Sequence, residues 1–160
     1  MDNVPNIDQW DVSNVTVFQG AFSGCLLFNQ DLSNWDVSSG INFGSMFKAC
    51  EEFNQPLDTW DISSAQFLFN MFQDTVNFNQ DLNNWNTANV INMSSIFDNS
   101  ASFNGNISSW NTANNTSFSN MFRFCNNFNQ DLSNWNVSSG TTFVEMFRSC
   151  FAFNSDTRGS

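Results

Sequence analysis

The chain contains no histidine and no tyrosine, and only four of its 160 residues are lysine or arginine. Without histidine, neither a Ser/His/Asp nor a Cys/His catalytic arrangement can be built from this sequence. The four basic residues stand against 15 acidic ones, which gives a net charge of −11. This balance leaves no basic footprint for nucleic acid and disfavours docking to anionic lipid.

Other functional signatures are also missing. The sequence has no Gly-rich phosphate loop and no CxxC pair of the kind that binds zinc. Its apolar runs are far shorter than a bilayer-spanning segment, and Met1 is followed by polar and acidic residues rather than a signal peptide. The sequence therefore predicts a segment that is not an enzyme, binds no nucleic acid and does not insert into a membrane.

What the chain does have is a strict 25-residue period, carried by three aromatic columns. The first column is Trp10, Trp35, Trp60, Trp85, Trp110 and Trp135; the second is Phe22, Phe47, Phe72, Phe97, Phe122 and Phe147; the third is Phe28, Phe53, Phe78, Phe103, Phe128 and Phe153. Columns in register at such a period indicate an array of structural units that pack on their neighbours.

Each unit divides into a turn, an alternating stretch and a second apolar stretch. Trp35-Asp36-Val37-Ser38 alternates apolar and polar residues, which predicts a short half-buried strand. Phe43, Met46, Phe47 and Cys50 follow the i, i+3, i+4, i+7 spacing of one helix face. The predicted fold class is an α/β solenoid of short strand plus short helix units. The alternative is an all-β solenoid, in which the helix is replaced by a third strand.

The predicted domain organisation is a single array over residues 1–154. Units cover 28–52, 53–77, 78–102 and 103–127, with incomplete units at both ends. Because the pattern begins and ends inside a unit, we expect a segment of a longer array. Residues 155–160 (SDTRGS) depart from the pattern and are predicted to be a disordered tail derived from cloning.

Two polar columns have structural interpretations. An Asn follows each Phe of the third column, as in Asn29, Asn54 and Asn79, and we expect its side chain to bond to nearby backbone or to the next unit. Cys25, Cys50, Cys125 and Cys150 share one position of the period. We expect free thiols if that position lies on packed helices, 8–10 Å apart, and the alternative is two disulfides, Cys25–Cys50 and Cys125–Cys150.

The outward face of the alternating stretch is the candidate binding face. Its side chains are acidic in the first half of the chain and neutral in the second, and the residues singled out are Asp11, Asn34, Asp36, Thr59, Asp61, Asn84, Asn86, Asn111 and Asn136. Such an extended surface can recognise a protein or a glycan. The alternatives are a purely solvated polar face and bridging of the stacked Asp residues by Ca²⁺, for which oxygen ligands are suited. No other cofactor is predicted.

Phe67 and Phe69 form a second candidate surface. They flank Leu68, a residue of the apolar pattern, and should point away from the core. We interpret them as a contact patch for self-association or for a partner; the alternative is that they fill gaps between units.

The elements FNQ-x-L, N-W-D/N-V-S and M-F-x-x-C resemble the repeats of BspA-like leucine-rich-repeat surface proteins. The resemblance implies a curved α/β solenoid on a microbial cell surface, extracellular, that acts in adhesion and binds a protein or glycan of a host or neighbouring cell. It brings no catalytic residue with it. The alternative functions are a structural spacer with no ligand of its own and, third, an intracellular interaction scaffold.

Overall fold

The computed structural model describes residues 3–154. The predicted tail at 155–160 lies outside the described residues. Within them the only helical element is a single 3-10 turn, Ile7–Gln9. The only strand-type pairing there is a row of isolated parallel bridges that joins Val17, Asn42, Phe67, Asn92, Ser117 and Thr142 in succession. No described helix reaches the length and hydrophobicity needed to cross a bilayer.

The chain is a stack of irregular 25-residue coils, where a coil is one period of the sequence: 3–27, 28–52, 53–77, 78–102, 103–127 and 128–152. Each bridge joins residues 25 positions apart, so that equivalent residues of neighbouring coils lie side by side. The two predictions of fold class, the α/β solenoid and the all-β solenoid, are therefore wrong, because the coils contain almost no helix or strand. The descriptions as a repeat-protein solenoid and as a leucine-rich repeat are not supported either.

The stretch predicted to be a helix is a run of consecutive turns. The N–H groups of Phe43, Phe47 and their odd-numbered neighbours donate to carbonyls of the next coil, from Phe67 to Gln73, at 2.7–2.9 Å. The N–H groups of Met46, Lys48 and Cys50 donate to the carbonyls three residues back at 3.0–3.2 Å. The N–H of Gly44 donates to Asn42 Oδ1 at 2.9 Å. An α-helix would instead bond every N–H four residues back within the segment.

Positive φ angles keep this segment out of the helical conformation. In the coil 28–52, Ser45 and Ala49 have φ of 58° and 56°. The two equivalent positions have positive φ in every coil, starting with Gly20 and Gly24. Left-handed residues turn the chain back so that alternate N–H groups face the neighbouring coil, a geometry that Gly, Asn and Asp tolerate best.

The stretch predicted to be a strand makes no strand pairing, and its last residue, Ser38, lies in a turn. Trp35 and Val37 are buried and Asp36 is exposed, as the alternation indicated. However, the neighbouring coils are joined here by side chains rather than by a backbone ladder. The indole Nε1–H of each Trp from Trp35 onward donates to a carbonyl of the preceding coil 28 residues earlier, at 2.7–3.2 Å.

Stacked aromatic rings fill the centre of every coil. Each Phe of the second column lies on the Phe of the third column six residues later, at the start of the next coil, with 3.7–4.3 Å between ring centroids, as Phe47 does on Phe53. Between coils, the rings of each Phe column repeat at 5.5–6.0 Å and are nearly parallel. The aromatic residues are therefore a continuous core, as predicted, and large buried rings dominate such packing.

The Asn column joins neighbouring coils through side-chain hydrogen bonds. The prediction that each Asn bonds to the next unit is confirmed. The Oδ1 atom of Asn54 accepts a hydrogen bond from the backbone N–H of Asn79 at 2.9 Å and another from Gln80 Nε2. The same pattern recurs along the column, from Asn29 to Asn129. An Asn side chain thus replaces a missing backbone partner once per coil.

The cysteine position is a column of hydrogen-bond donors. Cys50 Sγ, Thr75 Oγ1 and Cys125 Sγ each donate to a carbonyl 28 residues earlier, at 2.8–3.0 Å; Ser100 and Cys150 make the same bond. All four cysteines are free thiols, although no helix separates them as the prediction assumed. Burial raises the pKa of Cys50 to about 12, which keeps it a protonated donor and an unreactive thiol.

We predict that Trp85→Phe destabilises the protein and that Trp10→Phe does not. Trp85 is 2% exposed and its Nε1 lies 2.8 Å from the Leu57 carbonyl, whereas Trp10 is 53% exposed and donates no such bond among the described residues. Loss of the buried donor should lower the free energy of unfolding by about 1–3 kcal/mol. Urea unfolding of the two variants checks this, and equal effects would contradict the role of the indole N–H.

The variant Asn79→Leu should also destabilise the protein, because Asn79 Oδ1 accepts the Asn104 N–H at 2.8 Å. We expect a loss of about 1 kcal/mol. The matched control is Asn77→Leu: the Asn77 side chain makes no hydrogen bond within the described residues, and the equivalent position of the first coil is already Leu27. A thermal unfolding midpoint that falls in Asn79→Leu alone would support the stabilising role of the Asn column, and equal midpoints in the two variants would contradict it.

Candidate binding face

The polar face predicted from the sequence exists as a set of exposed parallel columns. All nine candidate residues are exposed: Asp11, Asn34, Asp36, Thr59, Asp61, Asn84, Asn86, Asn111 and Asn136. They flank the Trp column, in which neighbouring indoles such as Trp85 and Trp110 stack at 6.1 Å. Side chains of successive coils are thereby brought together at a regular short spacing.

The Asp/Asn column is fixed by hydrogen bonds to its own loop. Asp36 Oδ1 accepts the backbone N–H of Ser38 at 3.1 Å and its hydroxyl at 2.6 Å. The same contact to the N–H two residues on is made by Asp11, Asp61, Asn86, Asn111 and Asn136. This is an Asx turn, which either Asp or Asn can form. The sequence analysis missed this role, although the Asp-x-Ser spacing was a readable signal.

The Asx turns lower the pKa of the three carboxylates of the Asp/Asn column. Hydrogen bonds from Ser13, Ser38 and Ser63 lower the pKa of Asp11, Asp36 and Asp61 respectively, because they stabilise the charged form. The neighbouring Asp11 charge acts weakly in the opposite direction on the pKa of Asp36. The face is therefore ionised and rigidly presented at neutral pH.

On the other side of the Trp column, the face residues Thr59 and Asn84 are tied to neighbouring coils. Thr59 Oγ1 donates to the Ser33 carbonyl at 3.3 Å, and the backbone N–H of Asn84 donates to Asp58 Oδ1 at 2.9 Å. Asn34 lines a shallow cleft of about 270 Å³ together with Asp8, Gln30 and Asp31. The nine candidates thus form one extended surface with a small acidic recess at its first coils.

No ligand set for Ca²⁺ can be named on this face. Across residues 3–154, nowhere do three carboxylate, thiol or imidazole side chains come together in a way that could hold a metal ion. The Asp column places one carboxylate in each of the first three coils, and each is already engaged by its own Ser.

The candidate contact patch is half-buried. Phe67 lies in the row of bridges between Asn42 and Asn92. The ring of Phe69 lies over Gly44 of the preceding coil, where an added Cβ would come within 2.4 Å of it. Gly44 is therefore required to admit the Phe69 ring, and gap filling between coils accounts for this residue. A role of the pair in partner contact stays a prediction.

Sequence reasoning missed an ionic cluster on the flank of the later coils. Arg123 donates to both carboxylate oxygens of Asp98 at 2.7 and 2.8 Å, and Asp98 is only 2% exposed. Glu145 accepts from Arg148 at 2.7 Å and from Arg123 at 3.3 Å. Both guanidinium groups lie within 5.7 Å of the Phe124 ring centroid. The readable signal was that Asp98, Arg123 and Arg148 share one position of the period.

The comparison with family models identifies the group to which the chain belongs. Residues 1–104 and 81–159 match the model described as Mycoplasma protein of unknown function, DUF285. The chain is a member of the DUF285 family. The assignment to the BspA-like leucine-rich-repeat family is therefore wrong: no such family is shown, and the coils lack its strands and helices.

Two further comparisons give no relative for this DUF285 chain. No curated protein and no solved structure matches it. The family is described as one of unknown function, so membership assigns no activity or ligand to the chain.

We predict that the triple variant Asp11→Asn/Asp36→Asn/Asp61→Asn is less sensitive to acid than the wild type. Because these carboxylates have lowered pKa values in the folded state, the stability they contribute is present above their unfolded pKa of about 3.9 and is lost as the pH falls through the folded values. Asn keeps the Oδ1 acceptor of the Asx turn without titrating.

The measurement is the thermal unfolding midpoint from pH 6 down to pH 2. The wild type should lose more of its midpoint below about pH 4 than the triple variant. The control Glu51→Gln/Glu52→Gln/Asp74→Asn removes the same charge but leaves the three Asx turns intact, so it should retain the wild-type acid loss. Identical curves for wild type and triple Asp variant would refute the argument.

Proposed function

We propose that this DUF285 chain is a non-enzymatic segment of a microbial cell-surface protein that binds a protein or glycan through the polar face. One observation carries the proposal: the nine exposed side chains form parallel columns, and the six Asp and Asn residues of one column are held by Asx turns of their own loops before any ligand arrives. Pre-organised groups lose little conformational entropy on binding, so a surface of this kind is suited to recognition.

The chemistry of the face defines the class of ligand. The coils that carry Asp11, Asp36 and Asp61 present carboxylates, while the later coils present the amides of Asn86, Asn111 and Asn136. Carboxylates accept hydrogen bonds and pair with cations, whereas amides both donate and accept. The fitting ligand is an extended, hydroxyl-rich glycan or a polypeptide with basic and amide side chains. The net charge of −11 disfavours nucleic acid.

A structural spacer is the second candidate function, and a specific observation favours it. The Asx turns give every residue of the Asp/Asn column a structural role. A spacer would need these columns for its own stability and no ligand. The two functions therefore differ in whether the charge of the column matters once its geometry is kept.

Binding should be measured against a glycan array and a panel of matrix proteins, with and without Ca²⁺. The test variant is Asp11→Asn/Asp36→Asn/Asp61→Asn, in which the turns are retained and the charge is removed. The control is Glu51→Gln/Glu52→Gln/Asp74→Asn, which removes three charges outside the nine residues of the face. We expect saturable binding that the test variant weakens at least tenfold and the control leaves unchanged.

Two outcomes would count against recognition by this face. The absence of binding by the wild type across both panels would favour the spacer. Binding that is equally weak in both variants would show that net charge, rather than the Asp column, attracts the ligand. Dependence on Ca²⁺ that disappears in the test variant alone would place the cation on the column.

A further inference from the structure

We infer that the two end faces of the stack are complementary to each other, so that a second copy of this chain docks end to end. The inference does not depend on the polar face. The last coil, 128–152, has an apolar end surface around a cleft of about 360 Å³ lined by residues that include Leu132, Trp135, Phe143 and Phe147. Phe143 is 44% exposed, whereas its equivalents Phe43 and Phe118 are fully buried by the coil that follows them.

Backbone donors lie unused on this end face. The N–H groups of Phe143, Glu145, Phe147 and Ser149 donate to no other described residue. In every interior coil most of the equivalent N–H groups donate to the carbonyls of the next coil, as Phe43 does to Phe67 and Phe47 does to Met71. The end face thus carries a row of unused donors at the positions that bond to the next coil in the interior of the stack.

The first coil carries the matching acceptors. The carbonyls of Val17, Gln19, Ala21 and Ser23 accept from no other described residue. They occupy the same positions in the period as the carbonyls that accept in the interior, such as those of Phe67 and Met71. Interior donors bond to the carbonyl 24 residues further on, and the position that Phe143 would require lies six whole periods after Val17, so a second copy extends the stack without any change of register.

Side chains on the first coil complete the match. The indole of Trp10 is 53% exposed, whereas Trp35 is 6% exposed and donates to the Ile7 carbonyl of the preceding coil. Docked on the last coil, Trp10 reaches the position where its Nε1–H meets the Leu132 carbonyl of the other copy. Phe143 would then stack on Phe18, as Phe18 stacks on Phe43 at 5.1 Å within the chain.

One local rearrangement accompanies docking. Residues 3–10 of the second copy correspond in register to residues 153–160 of the first, so docking also requires 155–160, which lie outside the described residues, to leave that register. Phe153 stacks on Phe147 at 4.3 Å and on Phe128 at 5.7 Å, while the Val4 backbone is held by the Gln30 side chain at 2.6 and 3.0 Å. Asn3 and Val4 therefore give way and lose those two bonds. The gain is a full set of backbone bonds and a buried apolar face.

Such an interface is heterologous, since one end meets the other, and it does not close on itself. Repeated docking therefore gives linear assemblies rather than symmetric dimers. This property provides a test that separates end-to-end docking from any lateral contact, including one through Phe67 and Phe69.

The test is sedimentation velocity over a wide concentration range with three single variants. Trp10→Glu blocks the first face and Phe143→Glu blocks the last face, while Ile91→Glu is a control on the flank of an interior coil with similar exposure, 39%. Wild type and Ile91→Glu should show an average mass that rises above the monomer mass of 18.1 kDa with concentration. Each face variant alone should stay monomeric.

An equimolar mixture of the two face variants distinguishes end-to-end docking from any other association. Trp10→Glu keeps an intact last face and Phe143→Glu keeps an intact first face, so the mixture should form dimers of twice the monomer mass and nothing larger. Circular dichroism confirms that each variant is folded. A wild type that stays monomeric at all concentrations, or face variants that assemble like the wild type, would overturn the inference.

Discussion

The hydrogen bond from an N–H of one coil to a carbonyl 24 residues further on is the constraint on which the structure depends. Backbone groups removed from water need partners, and this chain supplies few through helix or sheet. The partners must therefore lie in the neighbouring coil at a fixed offset. Once this offset is set, the indole, thiol and hydroxyl donors find their carbonyls, and the Asn Oδ1 acceptors find their backbone N–H groups, at fixed separations along the chain.

This constraint explains what could be predicted from the sequence and what could not. The period, the buried aromatic columns and the alternation around Trp35 were all readable, because burial alone determines them. The helix was wrongly predicted because consecutive turns bury Phe43, Met46, Phe47 and Cys50 at the same spacing as a helix face. A partial chemical signal was present: Gly20, Asn70 and Asn120 lie where φ is positive, and these residue types adopt that conformation most readily, although Ser45, Ala49 and Phe124 lie at equivalent positions.

For the candidate site, exposure was predictable but the role of each side chain was not. The nine residues lie on the surface as the alternation indicated. The sequence did not separate a ligand-binding Asp from one that holds its own loop, because both functions favour an exposed carboxylate. Likewise, the cysteine position posed only a choice between free thiols and disulfides, whereas the property that Cys50 shares with Thr75 and Ser100 is an S–H or O–H donor. In both columns the backbone partner decides the role, and the sequence carried a signal of that partner only in the Asp-x-Ser spacing.

The Asx turn leaves one property of the face free to vary. Asp and Asn both place a suitable oxygen at that position, so the turn is kept along the column while the charge varies. The chain carries Asp in its first three coils and Asn in the next three with the same turn in each. Either residue supplies the oxygen, and the ionised Asp accepts the stronger hydrogen bond, which is why the pKa values of Asp11, Asp36 and Asp61 are lowered. A change of charge at constant geometry is therefore the feature of this face that a partner can distinguish.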